Sequence, residues 1–139
     1  MSGIIIVRDI MSRNVKTVRP DDSVLDAVRK MNKFRIGSVI VVNNGRPVGI
    51  ITERNILARI VEPRRNASMV KAKDIMSSPL IKVEPHTAVD EAAKLMATKN
   101  IKTLPVVDGE MIEGIVTSSD IVRESPTQLR ILEELLRVS

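Results

Sequence analysis

Apolar residues follow two different periods along the chain. Over residues 23–33 and 88–98 they recur at i, i+3, i+4 and i+7, as Val24, Ala27, Val28 and Met31 and again as Val89, Ala92, Ala93 and Met96. This predicts two amphipathic helices whose other faces carry Lys and Arg. Each is followed by two apolar runs separated by turn formers: residues 39–42, Asn43-Asn44-Gly45-Arg46-Pro47, then 48–51, and later 104–107, Asp108-Gly109-Glu110, then 111–116. Both read as hairpins. Runs of four consecutive apolar residues are too continuous for a half-exposed sheet and imply burial on both faces. Short strands at 15–18 and 80–83 run into Pro20 and Pro85, ahead of the amphipathic helices. Asp22-Ser23 and Thr87 are the candidate caps, and Thr87-Ala88-Val89-Asp90 has capping-box spacing. A second helix is expected from Thr52 and from Thr117.

This order occurs twice because the chain is a duplication. Residues 8–57 align with 73–122 at a constant offset of 65, without a gap, and sixteen of the fifty positions are identical. Chance would give roughly three at average residue usage. The fold class is α/β (α+β), each copy being strand, helix, hairpin, helix, or βαββα. By sequence the first copy with its linker covers 1–65, the second 66–124, and a final helix 125–139. Residues 62–66 are the least structured part of the linker, and Met69-Val70-Lys71-Ala72, aligned with 4–7, is read as the leading segment of the second copy. Ser125-Pro126 opens the final helix, whose Leu129, Leu132 and Leu136 share a face alongside Ile131 and Leu135, suited to packing on the body or on a second subunit.

Composition narrows the chemistry. With 43% apolar and 28% charged residues the chain is of globular type. No cysteine is present, so disulfides, thiolate catalysis and cysteine zinc sites are excluded. The single histidine, His86, follows Pro85 and is expected on an exposed loop, which leaves no His cluster for a metal. No Ser-His-Asp set exists, and Asp26 and Glu91 recur as solvated helix charges, so the chain is not expected to be an enzyme. The net charge of +5 is spread along the chain; Arg59, Arg64, Arg65, Lys71 and Lys73 form its one local basic cluster, and the lone aromatic, Phe34, provides no stacking platform for single strands. No apolar run reaches the eighteen or so residues of a membrane span, and the first residues do not resemble a secretory signal, so a cytoplasmic location and no membrane partner are expected.

Where the last strand meets the last helix the copies read Gly49-Ile50-Ile51-Thr52-Glu53-Arg54-Asn55 and Gly114-Ile115-Val116-Thr117-Ser118-Ser119-Asp120. A threonine at a helix start can cap it or donate to phosphate, and an Asp or Asn three residues on can accept from ribose hydroxyls. Spacing alone leaves plain capping and ligand contact both open. The glycines are open too, since Gly49 and Gly114 serve equally as sites of close packing within a strand.

The Asp-Ile-Met-Ser openings at Asp9 and Asp74, the stretches from Ile36 and Ile101 into Val-Val, and the Gly-x-x-Thr-x-x-Asn/Asp endings together resemble CBS domains over residues 8–123. The resemblance implies a tandem pair with pseudo-two-fold symmetry that binds an adenosine ligand in the cleft between its repeats, with AMP, ADP or ATP ranked ahead of S-adenosylmethionine. It requires no cofactor and implies a homodimer and a separate regulated protein. It assigns ribose and phosphate contacts to Thr52 and Asn55 in one cleft and to Thr117 and Asp120 in the other. Walls of the base pocket are assigned to Arg13, Asn14 and Val15 and to Ser78, Pro79 and Leu80. The turns after the first helices, Ile36-Gly37-Ser38 and Ile101-Lys102-Thr103, stand where the family often places phosphate-facing basic residues, and here only Lys102 is charged. Arg54, Ser119 and Arg123 are the remaining candidates on the last helices. Asn55 replaces the more usual Asp and lacks its charge, so unequal sites are expected, the Asp120 cleft being the tighter. The competing readings are a structural or oligomerisation module with unused clefts, or a nucleic-acid-binding module.

Overall fold

The structure is a computed structural model and describes residues 4–124. The final helix anticipated from Ser125 lies outside the described residues. The elements run α1 (Val7–Ile10), β1 (Thr17–Val18), α2 (Val24–Phe34), β2 (Ser38–Asn43), β3 (Arg46–Thr52), α3 (Glu53–Ile56), α4 (Ala72–Ile75), α5 (Val89–Lys99), β4 (Thr103–Asp108), β5 (Met111–Thr117) and α6 (Ser118–Glu124). The βαββα order of the sequence is therefore present twice. Beyond α3 the helix continues over Leu57–Val61 with widened turns, seen in the Glu62 N–H donating five residues back to the Leu57 carbonyl at 3.0 Å. Among the described residues no helix is long and apolar enough to cross a membrane.

The chain divides into two compact units that do not follow the sequence repeats. Of the described residues, one unit, the first-hairpin unit, is Val15–Ile81 with Gly109–Ile112; the other, the second-hairpin unit, joins residues 4–14, Lys82–Asp108 and residues 113–124. Each unit thus takes its α1-type leading segment from the other repeat. Val70, Ala72 and Ile75 enter the core of the first-hairpin unit with Val24, Ala27, Met31, Val39, Val41 and Ile51. Val7 and Met11 enter the core of the second-hairpin unit with Val89, Ala92, Met96, Leu104, Val106 and Val116. The stretch 69–72, aligned in sequence with the start of the chain, accordingly packs with the copy that precedes it.

Backbone hydrogen bonds explain this exchange. The Val24 amide at the start of α2 donates to the Val70 carbonyl (2.8 Å), and the Val89 amide at the start of α5 donates to the Ile5 carbonyl (2.9 Å). Helix starts carry amides without intrahelical partners, and the leading segments supply the acceptors. Ser23 also caps α2 by accepting from the Asp26 amide at 3.0 Å. The capping box expected at Thr87 does not form. Ala88 is the N-cap of α5, without a side-chain bond, and Thr87 Oγ1 instead accepts from the Glu84 amide at 3.2 Å. The Ile5 carbonyl serves the first amide of α5 as Val70 serves that of α2, and the side-chain cap is missing because Ala88 stands where α2 has Ser23.

In the first-hairpin unit β1, β2 and β3 form one sheet, β1 parallel and β3 antiparallel to β2. The first strand is shorter than expected, only Thr17–Val18 being paired, and its counterpart at Val83 is a single parallel bridge to Val106. The turn between β2 and β3 places both Asn44 and Gly45 at positive φ, the twist a two-residue hairpin requires. Leu104 to Val107 are buried without interruption as predicted, and so are Ser38 to Val41, but Val42 is half-buried and β3 and β5 alternate between buried and half-buried positions, so continuous burial holds for β2 and β4 and not for their partners.

Each last strand receives the Met-Ser of a leading segment. Ser12 and Ile115 exchange two backbone hydrogen bonds (2.8 and 2.9 Å), and Ser77 and Ile50 do the same (2.8 and 3.2 Å). Beside these bridges Gly114 and Gly49 lie under Met11 and Met76. A Cβ on Gly114 would stand 2.5 Å from Met11 Sδ and 2.8 Å from the Ser12 carbonyl oxygen; on Gly49 it would stand 2.5 Å from Met76 Sδ and 3.0 Å from the Ser77 oxygen. Of the two roles open in the sequence, the glycines take the packing one. Arg8 of α1 adds an ion pair to Glu113 of β5 at 3.6 Å.

Gly49→Ala and Gly114→Ala are each expected to cost about 1–3 kcal/mol, as overpacking of a filled contact does. Urea unfolding checks this. Adding Met11→Ala to Gly114→Ala is expected to give no net recovery, because the Ser12 backbone oxygen remains in the way and the buried Met11 side chain is lost from the core.

Candidate functional site

The helix that ends each repeat begins with a threonine cap held in a reciprocal pair. In the first-hairpin unit Asn55 N–H donates to Thr52 Oγ1 (3.1 Å), while the Thr52 amide and hydroxyl both donate to Asn55 Oδ1 (2.8 and 2.9 Å). In the second-hairpin unit Asp120 N–H donates to Thr117 Oγ1 (3.2 Å), and the Thr117 amide donates to Asp120 Oδ2 (2.9 Å). Both are capping boxes with Asn or Asp in the place of Glu. The residue after each threonine then donates its amide to the turn that follows the preceding long helix: Glu53 to the Gly37 carbonyl (3.1 Å) and Ser118 to the Lys102 carbonyl (3.0 Å). Two of the first three amides of each last helix are therefore engaged by the protein itself.

These bonds bring together residues that lie far apart in sequence. Within the second-hairpin unit Lys102, Thr117 and Asp120 are joined through Ser118, and the Ser12–Ile115 bridge on β5 is followed directly by Arg13 and Asn14. Within the first-hairpin unit Gly37, Thr52 and Asn55 are joined through Glu53, and the Ser77–Ile50 bridge is followed by Ser78, Pro79 and Leu80. Val15 belongs to the first-hairpin unit, apart from Arg13 and Asn14. Ile36 and Ile101 pack against the two cores, and Ser38 is buried at the start of β2. Thr103 opens β4 and is half-buried; Arg54 and Ser119 are exposed.

The two arrangements differ in how fully they are satisfied. Asn55 is 5% exposed, and its amide also donates to Ser77 Oγ at 3.0 Å. Sequence reasoning missed that partner, because Ser77 lies twenty-two residues on in the next repeat. Asp120 has one carboxylate oxygen on the Thr117 amide and the other paired with the exposed Arg123 guanidinium. Arg123 thus neutralises Asp120 from solvent. A cavity of about 810 Å³ in the first-hairpin unit, lined by Thr17, Arg19, Asp22, Asn44 and Lys73 among others, includes none of the candidate residues.

The basic cluster noted in the sequence is largely committed to structure. Arg59 donates to the carbonyls of Ile75 (2.7 Å) and Met76 (3.1 Å), closing the end of α4. Lys71 and Lys73 pair with Asp21 at 3.5 and 3.2 Å. Among the described residues no group of His, Cys, Asp or Glu is arranged to hold a metal ion.

The CBS domain family model matches twice, at residues 7–62 and 72–126. The chain belongs to the CBS domain family. As a tandem CBS pair it is a regulatory module rather than an enzyme. An uncharacterized protein of Methanopyrus kandleri is 41% identical over 134 residues, covering 94% of this chain and 68% of that protein. A mitochondrial CBS domain-containing protein of Arabidopsis thaliana is 37% identical over 124 residues, covering 86% of this chain and 59% of that one, so the chain spans less than two thirds of that relative. Among solved structures, a signal-transduction protein with CBS domains from Burkholderia ambifaria aligns with a TM-score of 0.77 at 32% identity, over 81% of this chain and 82% of that one. The CBS domain pair of the protein MJ0100, solved with 5′-methylthioadenosine and S-adenosyl-L-methionine, aligns with a TM-score of 0.79 at 32% identity, over 87% and 95%.

Two outcomes follow from these contacts. Asn55→Ala keeps the Thr52 cap but removes the reciprocal half of the capping box and leaves the Ser77 hydroxyl and the Thr52 amide without this partner, so it is expected to cost about 1–3 kcal/mol in thermal or urea unfolding. At Asp21, the hydrogen bond from Lys73, with Lys71 adding its charge, holds the carboxyl below the ordinary carboxylate value. Its stabilisation is complete above the ordinary range and is lost as pH falls through the lowered value; in Lys73→Met an NMR titration of Asp21 should move back up.

Proposed function

We propose that this CBS pair binds an adenosine nucleotide at the second-hairpin unit, through Thr117 and Asp120 with Lys102 and Arg123 supplying positive charge, and passes the bound state to a homodimer or a separate protein. The observation that carries this reading is the backbone hydrogen bond from Ser118 to the Lys102 carbonyl, which joins the one charged turn residue to the helix start that bears Asp120. Asp120 suits ribose hydroxyls as an ionised acceptor, and Lys102 and Arg123 suit phosphate. Arg13 and Asn14 follow the bridge on β5 and would approach the base. MJ0100, whose bound ligands both carry adenosine, supports the nucleoside part of the assignment. AMP, ADP and ATP rank ahead of S-adenosylmethionine here because Lys102 and Arg123 favour an anionic tail. A signalling role requires the ligand to bind two states of the dimer or partner complex unequally. Arg59, Lys71 and Lys73 of the basic cluster are engaged by main-chain carbonyls and Asp21, which makes nucleic acid the weaker alternative; a purely structural module is the other. A cytoplasmic setting fits a nucleotide sensor.

Thermal unfolding of protein stripped of nucleotide, with AMP, ADP, ATP, S-adenosylmethionine and GMP, tests the reading. A ligand at 100 times its Kd adds about 2.7 kcal/mol, which raises Tm by several degrees. The expected result is a rise with adenosine ligands alone that Asp120→Ala abolishes. No rise with any of them in folded, stripped protein overturns it.

A further inference from the structure

In the first-hairpin unit the protein's own side chains occupy the roles that the second-hairpin unit offers to a ligand. Asn55 Oδ1 accepts twice from Thr52, its amide donates to Ser77, and the Thr52 hydroxyl both accepts and donates. An amide oxygen has two lone pairs and a hydroxyl one proton, so the acceptor side of Asn55 and the donor of Thr52 are spent. The turn is closed by charge as well. Glu53 Oε1 lies so near Gly37 that a Cβ there would be 3.2 Å from it, which puts a carboxylate at the position where the other repeat has Lys102. Arg59 then fixes the carbonyls of Ile75 and Met76, directly before Ser77.

At the matching positions the second repeat has Ser118 for Glu53, Lys102 for Gly37, Asp120 for Asn55 and Glu124 for Arg59. The Asp120 side chain is 14% exposed and its second oxygen faces the exposed Arg123, where Asn55 faces the half-buried Ser77. An anionic ligand would reach a turn that bears a lysine in one unit and a turn covered by a carboxylate in the other, and like charge at close range discriminates strongly.

We infer that the Asn55–Ser77 clasp and Glu53 close the first-hairpin unit to anionic nucleotides, so that each chain takes one nucleotide, at the second-hairpin unit. This rests on the nucleotide-binding reading above and adds stoichiometry and the residues that set it. Calorimetric titration of the stripped, full-length chain with AMP and with ATP tests it. One equivalent per chain is expected. Asp120→Ala should weaken binding by about tenfold or more, whereas Asn55→Ala should lower Tm and leave the affinity within about threefold. The combined Gly37→Lys, Glu53→Ser, Asn55→Asp variant, a triple change that removes the clasp and the carboxylate and adds the turn lysine, should raise the count toward two. Two equivalents in the unaltered chain, or a folded triple variant that still takes one, overturns the inference while leaving nucleotide binding intact. No heat with either nucleotide overturns both. Should the triple variant fail to fold, the count in the unaltered chain and the Asn55→Ala affinity decide the matter.

Discussion

A methionine lying on a glycine in the last strand, with a backbone bridge beside it, is the contact from which each unit is assembled. Met11 on Gly114 and Met76 on Gly49 bring a leading segment to within a distance that any side chain on the strand would forbid. The Ser12–Ile115 and Ser77–Ile50 pairs hold it there. Once docked, the segment delivers its own carbonyl to a long-helix start, Ile5 to Val89 and Val70 to Val24, and its apolar side chains to the core. The helix, the strand and the segment each complete a need of the others: an orphan amide, a bare glycine and an unburied valine.

The same docking sets the surroundings of the candidate sites. Arg13 and Asn14 leave the bridge directly after Ser12, and Ser78 leaves the other directly after Ser77, so one repeat's segment is carried to the last helix of the other repeat. In the first-hairpin unit it brings a serine that bonds to Asn55, and in the second it meets an aspartate that bonds outward to Arg123. A duplicated backbone has thus been given two electrostatic characters by substitutions in one turn and along the last helix.

Much of this was legible in the sequence. The helical and hairpin periods placed α2, β2, β3, α5, β4 and β5 to within a few residues, because burial on one or both faces leaves a direct trace in the order of apolar residues. Thr52 and Thr117 stood out as caps because capping is local chemistry. What remained hidden was exact position and what depends on distant backbone. Thr87 has the spacing of a cap but lies one residue before the N-cap, Ala88, and its hydroxyl accepts from the Glu84 amide instead. The stretch at 69–72 aligns with the start of the chain and yet packs with the preceding copy, because alignment reports ancestry and burial reports contact. Nor does any local pattern reveal that Asn55 has a second partner in Ser77. The linker arginines and lysines looked like an anion-binding cluster, although Arg59 serves two carbonyls and Lys71 and Lys73 serve Asp21.

The exchange of leading segments also bears on how the chain is made. Synthesis runs from the N-terminus, so Val7 and Met11 emerge long before β5, their seat, is in existence. The first-hairpin unit meets no such delay for its core, since Val70, Ala72 and Ile75 follow its hairpin within a few dozen residues. One half of the molecule can therefore gather its core on the ribosome while the other keeps a valine and a methionine waiting for their strand. That loop of about a hundred residues must close late, at an entropic cost that grows only slowly with its length.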